Sequence, residues 1–323
     1  MSRFSHPSNF LPAMPTLSPF TFLESPRWDD YALLDSGDGL KLERFGNYVF
    51  VRPEAQAMWR RALVSEWKNA DAVFVPTGEE SGGHWDFKRR VEERWEMRYA
   101  LPPASSSTEG GEIRFWAMTT PGRHLGVFPE TAAHWDWLSE LISRSARRET
   151  SVLNLFGYTG LATLAAAAAG AKVTHVDASK KSVGWARENQ ALSNLTERPI
   201  RWIVDDALKF VQREARRGVK YDGILLDPPK FGRGPKGEVW EVYKSLPGLL
   251  EACRACLSES PLFVAVTLYA VRASAVHAAQ ALDNMMKGFG GKIEMGELVT
   301  REQSAGRLLS QAVYARWVGN VQP

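Results

Sequence analysis

Along residues 151–231, short apolar runs alternate with helix-like stretches. Residues 151–156 (Ser-Val-Leu-Asn-Leu-Phe) are too compact for a helix and end in the turn Gly157-Tyr158-Thr159-Gly160. The alanine-rich stretch 161–169 has strong helix propensity, and Gly170 stops it. A second strand, 172–176, ends at Asp177, and a helix is predicted over 180–192. A third strand, 200–204, ends at Asp205-Asp206, and a helix over 207–217 leads to a fourth, 223–226. That strand ends in Asp227-Pro228-Pro229-Lys230. Strands alternating with helices predict a parallel sheet covered on both faces. Each strand ends in Gly, Asp or both. Ligands of open α/β sheets sit outside those carboxyl ends, so a site is expected there.

The first hundred-odd residues carry a different pattern. Residues 1–28 hold Phe4, Phe10, Phe20 and Phe22 among Pro7, Pro12, Pro15 and Pro19 without periodicity, which predicts an irregular tail lying along a surface. Residues 31–34 and 41–45 flank the Ser36-Gly37-Asp38-Gly39 turn as a hairpin, with 48–51 as a third strand. Pro53 is suited to the first turn of a helix over 54–67. A strand at 71–75, a loop at 78–83 and an antiparallel pair at 93–99 and 113–118, separated by a Ser-Gly loop at 104–111, complete a small β-rich domain over 29–121. Beyond 122 an amphipathic helix over 131–147 precedes the alternating region. After Asp227, a glycine-rich loop at 231–237, a helix over 239–256, a strand at 262–267, a helix over 271–287 and strands at 292–297 and 311–318 bring the main sheet to seven strands.

Composition narrows the class. At 323 residues, with 44% hydrophobic and 24% charged positions, the chain is long enough for two domains and ordinary for a globular protein. No apolar run approaches a membrane span, and no basic-then-apolar leader opens the chain, so a cytoplasmic protein is expected. Two cysteines exclude a disulfide framework. A net charge of +3 permits an acidic partner without demanding one. Eight of the twelve tryptophans fall at or before Trp137, beside Lys88, Arg89, Arg90, Arg94 and Arg98. They are either base-stacking groups interleaved with phosphate contacts or the core of a small sheet with a solvated basic face.

Spacing at the turns decides between ligands. The turn Gly157-x-x-Gly160 lacks the glycine pair of a dinucleotide fingerprint, and Leu161-Ala162 stand where a P-loop has Lys-Ser/Thr. What remains is a turn without phosphate machinery, an acid after strand two, acids after strand three and Asp-Pro-Pro after strand four. This order resembles the class I S-adenosylmethionine-dependent methyltransferases, with their Rossmann-like sheet. The resemblance implies that the Asn154–Gly160 turn, including Phe156, Tyr158 and Thr159, holds the methionine end. It implies that Asp177, with Ala178 and Ser179, takes the ribose hydroxyls, and that Asp206, with Asp205 and Ala207, takes the adenine amine. Carboxylates suit those hydroxyl and amine donors and complement a sulfonium. Each acid also has an ordinary reading as a helix N-cap.

Three motifs in order narrow the resemblance: Gly126-Val-Phe-Pro-Glu130 with Trp135 downstream, Asn154-Leu-Phe-Gly-Tyr-Thr-Gly160, and Asp227-Pro-Pro-Lys-Phe231. Together they resemble the RlmI/RlmK-type ribosomal RNA methyltransferases. In that family Phe128, Pro129 and Glu130 would line the cofactor pocket, and a small β domain precedes the catalytic one. Thr131 stands where the best-known subgroup has glutamine, and no RNA-reading PUA module is recognisable. The resemblance implies that Asp227, Pro228, Pro229 and Lys230 position a planar target, typically an exocyclic amine, while Phe231 stacks the base and Arg233 or Lys236 contacts phosphate. The rival reading of the Gly-rich segment is a plain surface loop, and that of Asp-Pro-Pro a stiff turn.

The family's other chemistry, methylation of cytosine C5, needs a cysteine just past strand five, where this chain has Thr267-Leu268-Tyr269. Cys253 and Cys256 sit on the preceding helix as core residues, and the six histidines show no metal-ligand spacing, so no metal is expected. Three functions stay open: methylation of RNA, with ribosomal RNA implied by the resemblance; methylation of a small molecule or protein in a pocket shaped by the β domain; and a non-catalytic cofactor-binding module, against which the intact Asp227-Pro-Pro argues. A homodimer is compatible with all three.

Overall fold

The computed structural model describes residues 19–25, 28–77, 82–103, 110–146 and 149–320. The chain opens with β1 (Phe20–Glu24), then builds a five-stranded sheet from β2 (Tyr31–Gly37), β3 (Leu40–Phe45), β4 (Tyr48–Pro53), β5 (Ala72–Pro76) and β6 (Gly83–Phe87), in that spatial order. β7 (Trp95–Pro103) and β8 (Gly110–Ala117) form a separate antiparallel pair. The helix expected over 54–67 is not formed. The buried Asp35 carboxylate instead accepts from the backbone N–H groups of Ala62 and Leu63 and from the Trp67 indole. Donors that a helix would spend internally are thus drawn to one side chain, and only a 3-10 turn, Glu66–Asn69, remains. The 78–83 and 104–111 loops lie mostly outside the described residues.

The second half alternates as expected: α1 (Ala132–Arg144), β9 (Ser151–Leu155), α2 (Leu161–Ala168), β10 (Lys172–Asp177), α3 (Lys180–Leu192), β11 (Ile200–Val204), α4 (Ala207–Arg216) and β12 (Gly223–Leu226). A short hairpin, β13 (Phe231–Arg233) and β14 (Val239–Glu241), replaces the expected loop, so that α5 (Val242–Ala255) starts later than its sequence suggests. β15 (Phe263–Leu268), α6 (Ala275–Met286), β16 (Lys292–Arg301) and β17 (Leu308–Val318) follow. The main sheet runs β1-β16-β17-β15-β12-β9-β10-β11. It is the seven-stranded Rossmann-like sheet of the methyltransferase pattern with one strand added, which corrects the seven-strand count. The addition is β1, from a segment expected to be irregular, pairing in parallel with β16. Gly296 makes this possible, since a Cβ there would meet the Thr21 carbonyl oxygen at 1.7 Å. Residues 1–18, 26 and 27 of the expected tail lie outside the described residues.

Two buried clusters cover the two faces of this sheet, and one of them continues into the β-rich half through Tyr31, Phe50, Trp95, Tyr99 and Phe115. Trp28 packs on Tyr99 at 4.6 Å and Trp95 stacks on Phe50 at 5.6 Å. None of the eight tryptophans up to Trp137 is exposed, so they fill the core and present no stacking platform. Lys88, Arg89, Arg94 and Arg98 are exposed and face Asp86, Asp71, Glu188 and Glu96. Among the described residues no helix is long and apolar enough to cross a membrane.

Candidate active site

The turn after β9 is the first wall of the site. Phe156, Tyr158 and Gly160 all have positive φ, at 57, 50 and 85°. This contorted path folds the chain back over the strand ends. Gly157 is required because a Cβ there would come within 2.4 Å of the His175 ring. Burial pushes His175 down to about 3, so its neutral ring pairs through Nδ1 with Thr163 Oγ1 at 2.9 Å. Thr163 in turn accepts from Asn154 Nδ2 at 2.9 Å. Asn154 therefore braces the turn from beneath and reaches only a small inner recess of 70 Å³. Thr159 likewise lines that recess, donating its hydroxyl to the Gly126 carbonyl at 2.7 Å. Gly160 lines neither cavity.

The main cavity, of 610 Å³, opens where β9, β10, β11 and β12 end. That volume suits a cofactor with part of an acceptor. Phe156, Tyr158, Asp177, Ala178 and Ser179 form one side. Asp177 accepts from the Tyr158 N–H at 2.9 Å and the Ser179 N–H at 2.8 Å, and burial raises its carboxyl against those bonds. Asp206 and Ala207 continue the wall, Asp206 also capping α4 through the Lys209 N–H at 2.9 Å. The neighbouring acid is turned away: Asp205 pairs with Arg213 and does not line the cavity.

Phe128, Pro129 and Glu130 close the opposite side. The Phe128 ring lies 5.6 Å from Tyr158, 5.3 Å from Tyr269 and 4.8 Å from His124. Burial raises the Glu130 carboxyl, with Lys41 opposing it. Asp227 faces the same space from the end of β12, which pairs with β9. Its Oδ1 is enclosed without a hydrogen-bond partner among the described residues. Burial, reinforced by the Glu130 charge, pushes this carboxyl up to about 8.

The Asp-Pro-Pro-Lys segment divides. Pro229 and Lys230 line the cavity and Pro228 is packed beneath, while the Pro229 carbonyl accepts from Trp240 Nε1 at 2.7 Å. Arg233 lines the rim. Phe231 and Lys236 do not: Phe231 is 53% exposed on β13 with the Lys230 ammonium 5.3 Å above its ring, and Lys236 is exposed near the hairpin tip. The third wall was not foreseen from sequence. Lys41, Arg52, Glu54 and Gln56 reach in from the β-rich half, with Arg123 and His124 beside them. Lys41 and Arg52 are strand residues of β3 and β4, and Glu54 and Gln56 fall in the segment expected to be helical, so only the packing of the two sheets brings them here.

The donor set fits S-adenosylmethionine. Asp177 and Asp206 present carboxylate acceptors of the kind hydroxyl and amine donors need, the turn offers backbone polar groups, and the buried carboxyls of Asp227 and Glu130 are groups that a nearby sulfonium would hold ionised. The comparisons agree with this geometry. A family model described as "Conserved hypothetical protein 95" matches residues 132–238. A solved S-adenosylmethionine-dependent methyltransferase from Agrobacterium tumefaciens is 48% identical, with a TM-score of 0.84 over 92% of this chain and 93% of that one. The chain belongs to the S-adenosylmethionine-dependent methyltransferases. At 20% identity, the methyltransferase SMU.776, solved with S-adenosylhomocysteine, shares the fold with a TM-score of 0.63, over 90% of this chain and 75% of that one. Ribosomal RNA large subunit methyltransferase K/L of Hahella chejuensis is 30% identical over 57% of this chain and 25% of that protein. Ribosomal RNA large subunit methyltransferase I of Shigella boydii is 28% identical over 63% of this chain and 52% of that protein. The chain thus spans about half or less of these curated relatives.

Proposed function

We propose that the protein transfers a methyl group from S-adenosylmethionine to a nucleobase of RNA, with ribosomal RNA as the substrate. The observation that carries this reading is Asp227, an unpartnered buried carboxyl oxygen on the cavity wall at the end of the strand beside the cofactor turn. The cofactor supplies an electrophilic methyl group on sulfur. Asp227 accepts from the target group and orients it, and the stiff Pro228-Pro229 pair fixes the carboxyl. Asp177 and Asp206 hold the ribose and adenine, and Asn154 and Thr159 keep the turn in shape. Arg123, Lys230 and Arg233 make the rim cationic, which suits a phosphate backbone, while Lys41 is buried against Glu43 and Glu54. The names of the curated relatives support RNA as the acceptor. In this reading residues 29–121 are the substrate-facing unit and residues 122–323 the catalytic one.

One observation favours a second reading. The wall made by Lys41, Arg52, Glu54 and Gln56 narrows the cavity from the β-rich side, as a small-molecule pocket requires. Mapping of modified nucleosides by mass spectrometry, in RNA from cells with and without the protein, separates the two. The RNA reading expects one methylated nucleoside to disappear. Identical profiles would contradict it and favour the small acceptor.

A further inference from the structure

Besides Asp227 Oδ1, one other buried side-chain atom on the wall of the main cavity has no hydrogen-bond partner among the described residues: the hydroxyl of Tyr269. Tyr269 directly follows β15, and the register Leu226↔Val266 sets Asp227 level with Thr267 on the neighbouring strand. Two residues further on, Tyr269 returns to the Thr267 side of the chain, at the same end of the sheet as Asp227. Its ring is held against Phe128 at 5.3 Å. Ala270, which also lines the cavity, has φ of +50°, a left-handed conformation that alanine adopts at a cost. A strained residue thus follows a tyrosine whose hydroxyl has no hydrogen-bond partner among the described residues. Buried hydroxyls without partners are rare, and those at sites await a ligand.

We infer that Tyr269 is an acceptor-binding residue: its hydroxyl donates to an unprotonated ring nitrogen while Asp227 accepts from the amino group beside it. The pair then reads a donor–acceptor edge of the kind adenine, cytosine and the N2–N3 side of guanine carry. This inference rests on the RNA reading and names its target chemistry. Burial and the charges of Asp227 and Glu130 hold the phenol well above its ordinary value, so it stays a neutral donor. In the reaction the amino nitrogen bonds to the methyl carbon as the carbon–sulfur bond breaks, sulfur leaves as a neutral thioether, and one amino proton passes to Asp227, which the sulfonium has favoured in its ionised form. The edge matters because an amine with one N–H held and its ring neighbour fixed can only present its lone pair in one direction.

The test uses Tyr269→Phe, which keeps the ring packing and deletes only the oxygen. RNA from cells lacking the protein is the acceptor. Rates are measured against RNA concentration, S-adenosylhomocysteine binding by calorimetry, Tm by thermal unfolding, and the methylated atom by nucleoside mass spectrometry. The expected result is a kcat/KM at least tenfold lower, cofactor affinity within twofold of the parent, an unchanged or higher Tm, and a methyl on the exocyclic nitrogen of adenine, cytosine or guanine. A lower Tm with normal kcat/KM would make the hydroxyl structural and overturn the inference. So would a methyl on a ring carbon or an imide nitrogen, and in either case the RNA reading stands, whereas a methyl on a ribose oxygen would overturn the inference and the nucleobase reading together. Absence of transfer to any RNA by cofactor-binding parent protein overturns the RNA reading itself and the inference with it.

Discussion

The backbone N–H of Tyr158 donates to Oδ2 of Asp177 at 2.9 Å, fastening the turn after β9 to the carboxylate that ends β10. One acid therefore does two jobs: it shapes the turn and leaves acceptor capacity facing the cavity. Asp177→Ala is expected to weaken S-adenosylhomocysteine binding by about 1.5–3 kcal/mol, the scale of hydrogen bonds to a charged group. Calorimetry on the folded variant measures this. Unchanged affinity would move the ribose elsewhere.

The carboxyl of Asp227 gives the site a pH signature. Its value rises from 3.8 to about 8 in the folded protein. Between those values the unfolded chain has lost the proton and the folded chain keeps it, so this group's contribution to stability falls as pH rises through the window. Asp227→Asn should gain in Tm relative to the parent from pH 4 to pH 8 and hold that gain above. A sulfonium favours the ionised acid, so affinity for S-adenosylmethionine should climb toward pH 8 while that for neutral S-adenosylhomocysteine climbs less. Parallel pH profiles for the two ligands would contradict the placement of Asp227 near the sulfur.

The third wall of the cavity depends on a buried ion pair. Arg52 donates to Glu43 through Nε at 2.7 Å and a terminal nitrogen at 2.8 Å, and the Tyr31 hydroxyl donates to the same carboxylate at 2.9 Å. Burial alone would raise Glu43, but the charges of Arg52 and Lys41 hold it down at about 2. The stabilisation is present above the ordinary value of 4.5 and is lost as pH falls through about 2. Arg52→Ala strands a buried carboxylate and should cost about 3–5 kcal/mol. Denaturant unfolding near neutral pH checks this, and a loss below 1 kcal/mol would mean the pair is dispensable.

Cys253 and Cys256 are fully buried on and just after α5, with thiols pushed up by burial, Cys256 to about 11. Neither lines the main cavity. Replacing both by serine should lower Tm and leave methyl transfer intact. A covalent adduct with a fluorinated cytosine acceptor would overturn this.

Much of the main sheet was legible because its signals are local: an apolar run, then Gly or Asp, repeated from Ser151 to Asp227. Features that depend on distant partners were not. β1 is a strand only because Gly296 lets Thr21 approach, and the expected 54–67 helix fails because Asp35, far upstream, takes its donors. Asp205 and Asp206 are indistinguishable in sequence until Arg213 claims one and α4 is capped by the other. Lys41 falls in the expected hairpin, Arg52 just past the expected third strand, and Tyr269 just past strand five. Their meeting at one cavity is a tertiary fact with no local trace.

The central claim is that Asp227 orients the acceptor and does not hold the cofactor. Strand β12 lies beside β9, and the Asp227 N–H donates to the Leu155 carbonyl at 3.4 Å, so the carboxyl stands next to the cofactor turn. The most direct measurement is single-turnover methyl transfer by Asp227→Ala, with RNA from cells lacking the protein, beside calorimetry with S-adenosylhomocysteine. The account predicts a rate lower by about 100-fold or more, the scale of a lost transition-state contact, with product affinity nearly unchanged. Full turnover in this variant would contradict it.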